Sequence, residues 1–461
     1  MLEEHAHAVD ETGHSAETET SGTLRDDFIR KDVYFSAEIA RQEAAMLWMR
    51  TWQMACREEE LPTIGSFVTY EIVGQSVIVV RTGEADIKAY QNSCPHRGRQ
   101  LIDHQCGSVT RFYCPFHGWR WDLQGKNTYI RNAEDWDCRG GLSHGEAGLA
   151  EVKVGRWGGF VFINFDAGCE AFEKFIDPVP ENLGRLEFEK MRFTWYKTME
   201  IKCNWKVAIE SFMESYHVPS THFQTLPFLD AVTTSRERGK HGSHTNRGGR
   251  PFGMPAIETG RPEPEHFAEA FSAAIQRIAR ETGGVGTTSS RGASIVAEAV
   301  AGFGPEADPI DVMKAYAARL RQQAIDEGAG WHDLTAQDMA ELGVDWSLFP
   351  NMVLVFGVDS SLVMRARPHG ADPGRCLLDM WAMLRVAPAA ASSFKREYYE
   401  NYREHRADIP PLLYQDLSNM ERVQAGMSCS SFKGSRLNPV QERQIYNMHR
   451  GIAAYLTGGW A

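Results

Sequence analysis

The sequence predicts an α+β protein in which a small all-β unit sits inside a larger domain of antiparallel sheet and helices. Three observations carry that expectation. Residues 50–166 consist of short β-branched and aromatic runs punctuated by Gly, Asn and Asp. Beyond them, helical periodicities alternate with closely spaced strand-like runs. A chain of 461 residues has the length of two or three ordinary domains.

Taken in order, residues 1–35 read as a disordered acidic tail and lead-in, because MLEEHAHAVDETGHSAETETSG offers little to bury. That stretch has no apolar run and is not a signal peptide. Ile39, Glu43, Met46, Leu47, Met49 and Arg50 have helical spacing, which predicts a helix over 36–52 belonging to the larger domain. The β unit then covers 53–166. Its Phe67–Val73 and Ser76–Arg81 runs form a hairpin joined at Gly74-Gln75, and Gly159–Phe165 ends it.

The larger domain continues over 167–461. Trp195–Ile201 reads as a strand, and Asn204–His217 as a helix that Pro219 helps to end. Residues 240–345 form a partly helical insertion, with one helix at His266–Glu281. A second is opened by Asp308 as N-cap and Pro309 in the first turn. Met352–Val358, Ser361–Arg367 and Cys376–Val386 predict an antiparallel meander. Two helices follow, Gln415–Ala425 and Pro439–Leu456, the latter capped by Asn438.

Composition narrows the function classes. A net charge of −12 (49 basic against 61 acidic residues) argues against nucleic acid and an anionic membrane surface as partners. No apolar run is long enough to span a bilayer. Nine scattered cysteines without an export signal fit a reducing cytoplasm, not a disulfide framework.

Two of those cysteines stand in a pattern. Cys94-Pro95-His96-Arg97-Gly98 and Cys114-Pro115-Phe116-His117-Gly118-Trp119 give C-x-H-x17-C-x2-H. Each half is a tight Pro/Gly-bounded loop offering one thiolate and one imidazole. The ligand types suit a structural zinc site. The paired loops are also the arrangement in which two histidines replace two cysteines on one iron of a [2Fe–2S] cluster, a Rieske centre. His104 and Cys106 lack this framing and read as ordinary residues.

A second constellation lies at Asn204-Trp205-Lys206 and Glu210-Ser211-Phe212-Met213-Glu214-Ser215-Tyr216-His217-Val218-Pro219-Ser220-Thr221-His222. Together with Cys94–Trp119 it resembles the α subunit of Rieske non-haem iron oxygenases of the aromatic-ring-hydroxylating type. The resemblance runs from about residue 36 to the end and is poorest over 240–345. It implies Cys94, His96, Cys114 and His117 as ligands of the [2Fe–2S] cluster. It also implies a mononuclear Fe(II) on His217 and His222, completed by a carboxylate as in 2-His-1-carboxylate sites that leave positions for O2. Tyr414–Met427 resembles the segment that supplies that carboxylate, which makes it Asp416; Glu421 reads as solvated or salt-bridging. Glu214 stands where the family usually has Asp, bridging an iron-bound and a cluster-bound histidine across a subunit boundary, so the implied path is His117–Glu214–His217. The family's Glu-Asn pair is altered here to Glu210-Ser211.

The resemblance further implies a helix-grip-like catalytic domain, a head-to-tail homotrimer with or without small β subunits, and O2 as co-substrate. Gly283-Gly284-Val285-Gly286 lacks the third glycine and the strand of a dinucleotide site. Electrons from NAD(P)H would therefore arrive through a separate reductase, with or without a ferredoxin. The expected reaction is hydroxylation of a small hydrophobic, aromatic-type substrate: dihydroxylation, monohydroxylation or oxidative demethylation. The alternatives are a demethylase acting on a methylated amine or steroid-like compound, or an electron-transfer protein with the cluster alone. Phe212, Met213, Phe223, Leu226 and Phe228 are the candidate apolar neighbours of the iron.

Overall fold

The computed structural model describes residues 28–390 and 394–459. In the β unit, alternating apolar residues build a seven-stranded antiparallel sheet. Its order is Gln53–Arg57, Phe160–Asn164, Glu151–Trp157, Ile87–Gln91, Gln75–Arg81, Ser66–Ile72 and Cys106–Ser108. The strand that enters the unit therefore pairs with the one that leaves it. A small sheet of Phe112–Tyr113, Arg120–Trp121 and Asn127–Tyr129 lies apart from the large one. The hairpin turn is Val73-Gly74, with Ile72 opposite Gln75 and φ of 42° and 79°. That is one residue earlier than expected, and two positive φ values match the twist of the flanking strands.

The larger domain is an eight-stranded sheet. It runs Thr233–Arg238, His241–Asn246, Asp345–Leu348, Met352–Phe356, Ser360–Pro368, Cys376–Arg385, Met191–Ile201 and Arg396–Tyr399. All pairs are antiparallel except the last. The expected meander is present. The expected insertion over 240–345 is corrected at both ends, since His241–Asn246 and Asp345–Leu348 are strands of the main sheet. Between them lie the helices Phe267–Thr282, Ser290–Val300, Pro309–Asp326 and Ala336–Leu342. Asp308 caps the third through its Oδ1 on the Ile310 N–H. The Ser290–Val300 helix was hidden by glycines; Ser289 Oγ caps it by accepting the Gly292 N–H.

Other boundaries also shift. Residues 28–35 are not a tail: Phe28–Arg30 pairs with Gly434–Arg436, and Tyr34 in the short Asp32–Phe35 helix is fully buried. The part of that expectation covering residues 1–27 lies outside the described residues. The helix expected over 36–52 is Ala37–Gln42 followed by a π-helical turn, Glu43–Trp48. The last helix starts at Arg443, because Asn438 Oδ1 accepts the N–H groups of Val440 and Gln441 and holds a turn ahead of it. No helix of the described residues is long and apolar enough to cross a membrane.

The two units are locked by buried charge. Asp379 accepts from Arg365 Nε and Nη2 at 3.0 and 2.8 Å, from Arg367 Nε at 3.0 Å, and from Thr198 Oγ1 at 2.7 Å. Arg365 Nη1 reaches across to the carbonyls of Met54 and Ala55, and Arg367 Nη1 to that of Glu71, all in the β unit. Burial pushes the Asp379 carboxyl up, but Arg367 and Arg365 outweigh it and hold it well below the usual carboxylate range. Its contribution to stability is therefore present above about pH 4, the unfolded value, and is lost only as pH falls through the lower folded value. Asp379→Ala leaves two buried guanidinium groups sharing no carboxylate. Urea denaturation of the variant should show a loss of about 3–5 kcal/mol; a loss within experimental error would mean the β unit is held by apolar contacts alone.

Candidate functional site: two ligand clusters

The loops at 94–98 and 114–118 have the same local structure. Each cysteine carbonyl accepts the N–H of the residue four further on (Gly98 at 2.8 Å, Gly118 at 2.9 Å). Each cysteine N–H in turn donates to the carbonyl of Arg99 or Trp119, both at 2.9 Å. Gly98 and Gly118 close the loops with φ of 73° and 81°, a conformation that favours glycine. Both thiols are buried. Burial raises the Cys94 thiol, the amides of His96 and Arg97 lower it, and the neighbouring Cys114 thiol raises it again.

The rings of His96 and His117 lie 4.5 Å apart, and Trp119 stacks on His96 at 4.9 Å. The Nδ1 atoms of both imidazoles are buried and have no hydrogen-bond partner among the described residues. Two buried ring nitrogens left unpaired beside two thiols fit a bound metal group, since burial without a partner is costly. Burial, then His117 and Arg97, hold His96 below the usual histidine range, which keeps it neutral and able to ligate. Among the described residues, the group with three donor atoms within 4.8 Å of one another is His217, His222 and Asp416. The four loop residues form no such group, as ligands of one zinc would. A thiol pair and an imidazole pair on separate irons suit them better.

The second cluster is assembled from two turns and a helix. Asn204 Oδ1 caps the Trp205–Glu210 helix by accepting the Lys206 N–H at 3.0 Å. The helix expected to reach His217 ends at Glu210, where the N–H groups of Phe212 and Met213 tighten to the residues three back. Glu214 and His217 therefore meet through a turn and not along a helix face. Glu214 Oε2 accepts the His217 N–H at 2.9 Å, and its Oε1 pairs with His217 Nδ1 at 2.7 Å. Pro219 opens the following Val218–Thr221 helix instead of ending the previous one, and His222 follows it. Asp416 lies in the second turn of the Pro411–Met427 helix and is 7% exposed, deeper than a helix-capping acid needs to be.

His222 Nε2 and His217 Nε2 stand 3.0 and 3.6 Å from Asp416 Oδ1. On their far sides, His217 Nδ1 bonds to Glu214 and His222 Nδ1 to Gln415 Oε1 at 2.8 Å. Hydrogen-bond acceptors at both Nδ1 atoms hold the rings so that each Nε2 faces Asp416, the orientation in which Nε2 can take a metal ion in place of a proton. Burial disfavours the His217 imidazolium, yet Glu214 and Asp416 outweigh it and raise the group to about 9. The local field favours positive charge.

Gln415 escaped the sequence reading. Its partner His222 is 193 residues away, and its adjacency to Asp416 was the only trace of it. Glu210 accepts from Tyr34 Oη at 3.1 Å and pairs with His449 Nε2 at 2.6 Å. Neither Tyr34 nor His449 carried a signal. Glu421 pairs with Arg403 and accepts the Lys202 N–H, so its role is structural. Of the apolar neighbours, Phe212, Met213 and Phe228 are buried, whereas Phe223 is 66% exposed.

A family model described as the ring hydroxylating alpha subunit (catalytic domain) matches residues 188–458, and one described as the Rieske [2Fe-2S] domain matches 51–138. The chain is 25% identical over 221 residues to a carnitine monooxygenase oxygenase subunit of Acinetobacter pittii, covering 47% of this chain and 57% of that one. It is 29% identical over 204 residues to a glycine betaine monooxygenase oxygenase subunit of Pseudomonas aeruginosa, covering 43% and 46%. It thus spans about half the length of the curated relatives it matches. A quaternary ammonium Rieske monooxygenase in complex with L-carnitine superposes with a TM-score of 0.63 at 15% identity, over 94% of this chain and 99% of that one. Naphthalene 1,2-dioxygenase from Rhodococcus sp. bound to indole gives 0.62 at 16% identity, over 93% and 94%. At such identities the likeness is one of fold.

Replacing Glu214 or Gln415 by Leu should weaken Fe(II) or Co(II) binding at the triad about 10–100-fold each. Titration followed by the visible absorption of Co(II) reads this directly; unchanged affinity would mean the imidazoles are oriented without these acceptors.

Proposed function

Because the chain belongs to the ring-hydroxylating alpha-subunit family and carries a Rieske [2Fe-2S] domain ahead of its catalytic domain, we propose that it is the terminal oxygenase component of a multi-component system acting on a small hydrophobic organic substrate. The observation that carries this reading is the convergence of His217, His222 and Asp416 with both Nε2 atoms turned inward. Cys94 and Cys114 would hold one iron of the cluster and His96 and His117 the other. His217, His222 and Asp416 would hold mononuclear Fe(II) with positions left open. When bound, the cluster supplies one-electron storage and the mononuclear iron supplies O2 activation. Glu214 and Gln415 keep the two imidazoles in one tautomer, and Asp416 offers its carboxylate from a nearly buried position.

We assign Glu214 the place between His217 and His117 of an adjacent copy in a head-to-tail homotrimer. In support, Phe116 at the tip of the His117 loop is 52% exposed, and the His217 side chain is 24% exposed, so both ends reach the surface. Electrons would come from NAD(P)H through a separate reductase, with or without a ferredoxin, in the cytoplasm. A second reading, oxidative demethylation of a methylated amine, is favoured by the relatives named for carnitine and glycine betaine.

The test is turnover under labelled O2 with a surrogate reductase and a panel of arenes, steroids and methylated amines. Asp416→Ala should reduce product to background while the cluster still takes up an electron. Full turnover by that variant would remove Asp416 from the reaction and overturn the assignment of the oxygenation site. Two labelled oxygens in one product would exclude demethylation, and one oxygen with release of formaldehyde would exclude dihydroxylation.

A further inference from the structure

An open cavity of about 590 Å³ lies at the outer edge of the eight-stranded sheet, and none of the cluster or triad ligands lines it. The Thr233–Arg238 strand, the end of the His241–Asn246 strand and the Val179–Leu183 and Ala336–Leu342 helices bound it. The size lies within the range of small-molecule sites. Side chains of a strand alternate between its two faces. Ser235 and Glu237 turn to the last helix, where Ser235 Oγ accepts the Gln444 N–H at 2.8 Å and Glu237 pairs with Arg443 and Arg450 at 2.6 and 2.7 Å. Arg236 and Arg238 turn the other way and line the cavity.

These two arginines are held in place but not neutralised. Arg238 Nε donates to Ser243 Oγ at 3.1 Å, and its guanidinium stands over the buried Trp346 ring, 5.5 Å from the centroid. Its two Nη groups have no partner among the described residues. Arg236 is exposed, and among the described residues neither guanidinium has a carboxylate partner. Burial, then the charge of Arg236, lower the Arg238 guanidinium, and no acid offsets them.

The other charges of the wall do not change this balance. Arg185 is taken by Asp333 and Asp338 at 2.9 and 3.1 Å, which also occupies the wall's Asp338. Glu341 accepts from Gln337 Nε2 at 2.7 Å, and both Glu341 and Glu181 are exposed, where water screens them. Two like charges on one strand face, one of them partly desolvated, repel each other unless an anion joins them. A guanidinium with free Nη groups presents the fork that matches two oxygens of a carboxylate or phosphate.

We propose that this cavity binds the oxyanion group, phosphate or carboxylate, of a small molecule between the guanidinium groups of Arg236 and Arg238, with the Thr245 hydroxyl beside them. The site stands apart from the metal ligands, and its existence does not depend on the oxygenase reading.

The experiment titrates the holoprotein with inorganic phosphate and, separately, with succinate, by calorimetry at neutral pH and low salt. At least one of the two should bind saturably at one site per chain, and more weakly as salt is added. Phosphate binding alone would assign the site to phosphate esters, and succinate binding alone to carboxylates. Arg236→Gln and Arg238→Gln should each lower the affinity about tenfold or more, because each removes a charge-assisted pair. The cluster absorption should be unchanged in both, which shows that the fold is kept. Absence of saturable binding by both probes, or full affinity in both arginine variants, would overturn the site. Asp416→Ala separates this site from the metal: it should keep the anion affinity, and binding lost with Asp416 would place the anion at the metal ligands and overturn the proposal.

Discussion

A single carboxylate of the eight-stranded sheet, Asp379, is shared by Arg365 and Arg367, and each arginine donates through its Nη1 to carbonyls of the β unit. A guanidinium can be buried only when its charge is paired and its N–H groups are occupied. Here the carboxylate comes from one unit and the carbonyls from the other. Neither arginine is satisfied unless the units are docked, so folding of the sheet and placement of the β unit are one event. The orientation of the cluster loops relative to the rest of the chain follows from that constraint.

The triad has an analogous dependence on distant segments. The Asn204 N–H donates to Gln424 Oε1 at 3.0 Å, tying the start of the histidine segment to the Asp416 helix. Lys206 and Trp205 Nε1 both bond to Glu43, buried in the π-helical turn. Tyr34 and His449 close on Glu210 from the N-terminal and C-terminal helices. Three separated stretches of sequence thus hold the short helix and turn that carry His217. This suits a site whose ligand atoms must stay within a few tenths of an ångström of a fixed geometry.

Local chemistry was legible and long-range completion was not. The cluster loops could be read because Pro, Gly, Cys and His fall within five residues of one another, and each loop closes on itself. The meander at 352–386 was legible because its strands are consecutive and apolar. The broken helix after Glu210 was not: nothing in Ser211–Tyr216 is a strong breaker, and the break comes from Ser211 Oγ bonding back to the Val207 carbonyl and from Glu214 capping His217. Strand His241–Asn246 looked like loop because its sequence is polar. It is buried by pairing His244 with Asp345, at 2.9 Å, and with the Gln441 carbonyl, contacts that span 101 and 197 residues. Gln415 was invisible for the same reason.

The asymmetry between Glu214 and Gln415 has a physical sense of its own. A divalent cation held by the two imidazoles would be balanced by two negative charges, which Asp416 and Glu214 can supply. A second carboxylate in place of Gln415 would leave a buried excess of negative charge, with its desolvation cost unpaid by any cation. A neutral amide at Glu214 would leave the opposite excess. One charged and one neutral acceptor therefore keep the nearly buried site close to electroneutral, and both still fix the tautomer of the ring they hold. The charged acceptor sits on His217, the more exposed of the two histidines, where a carboxylate is less costly to keep.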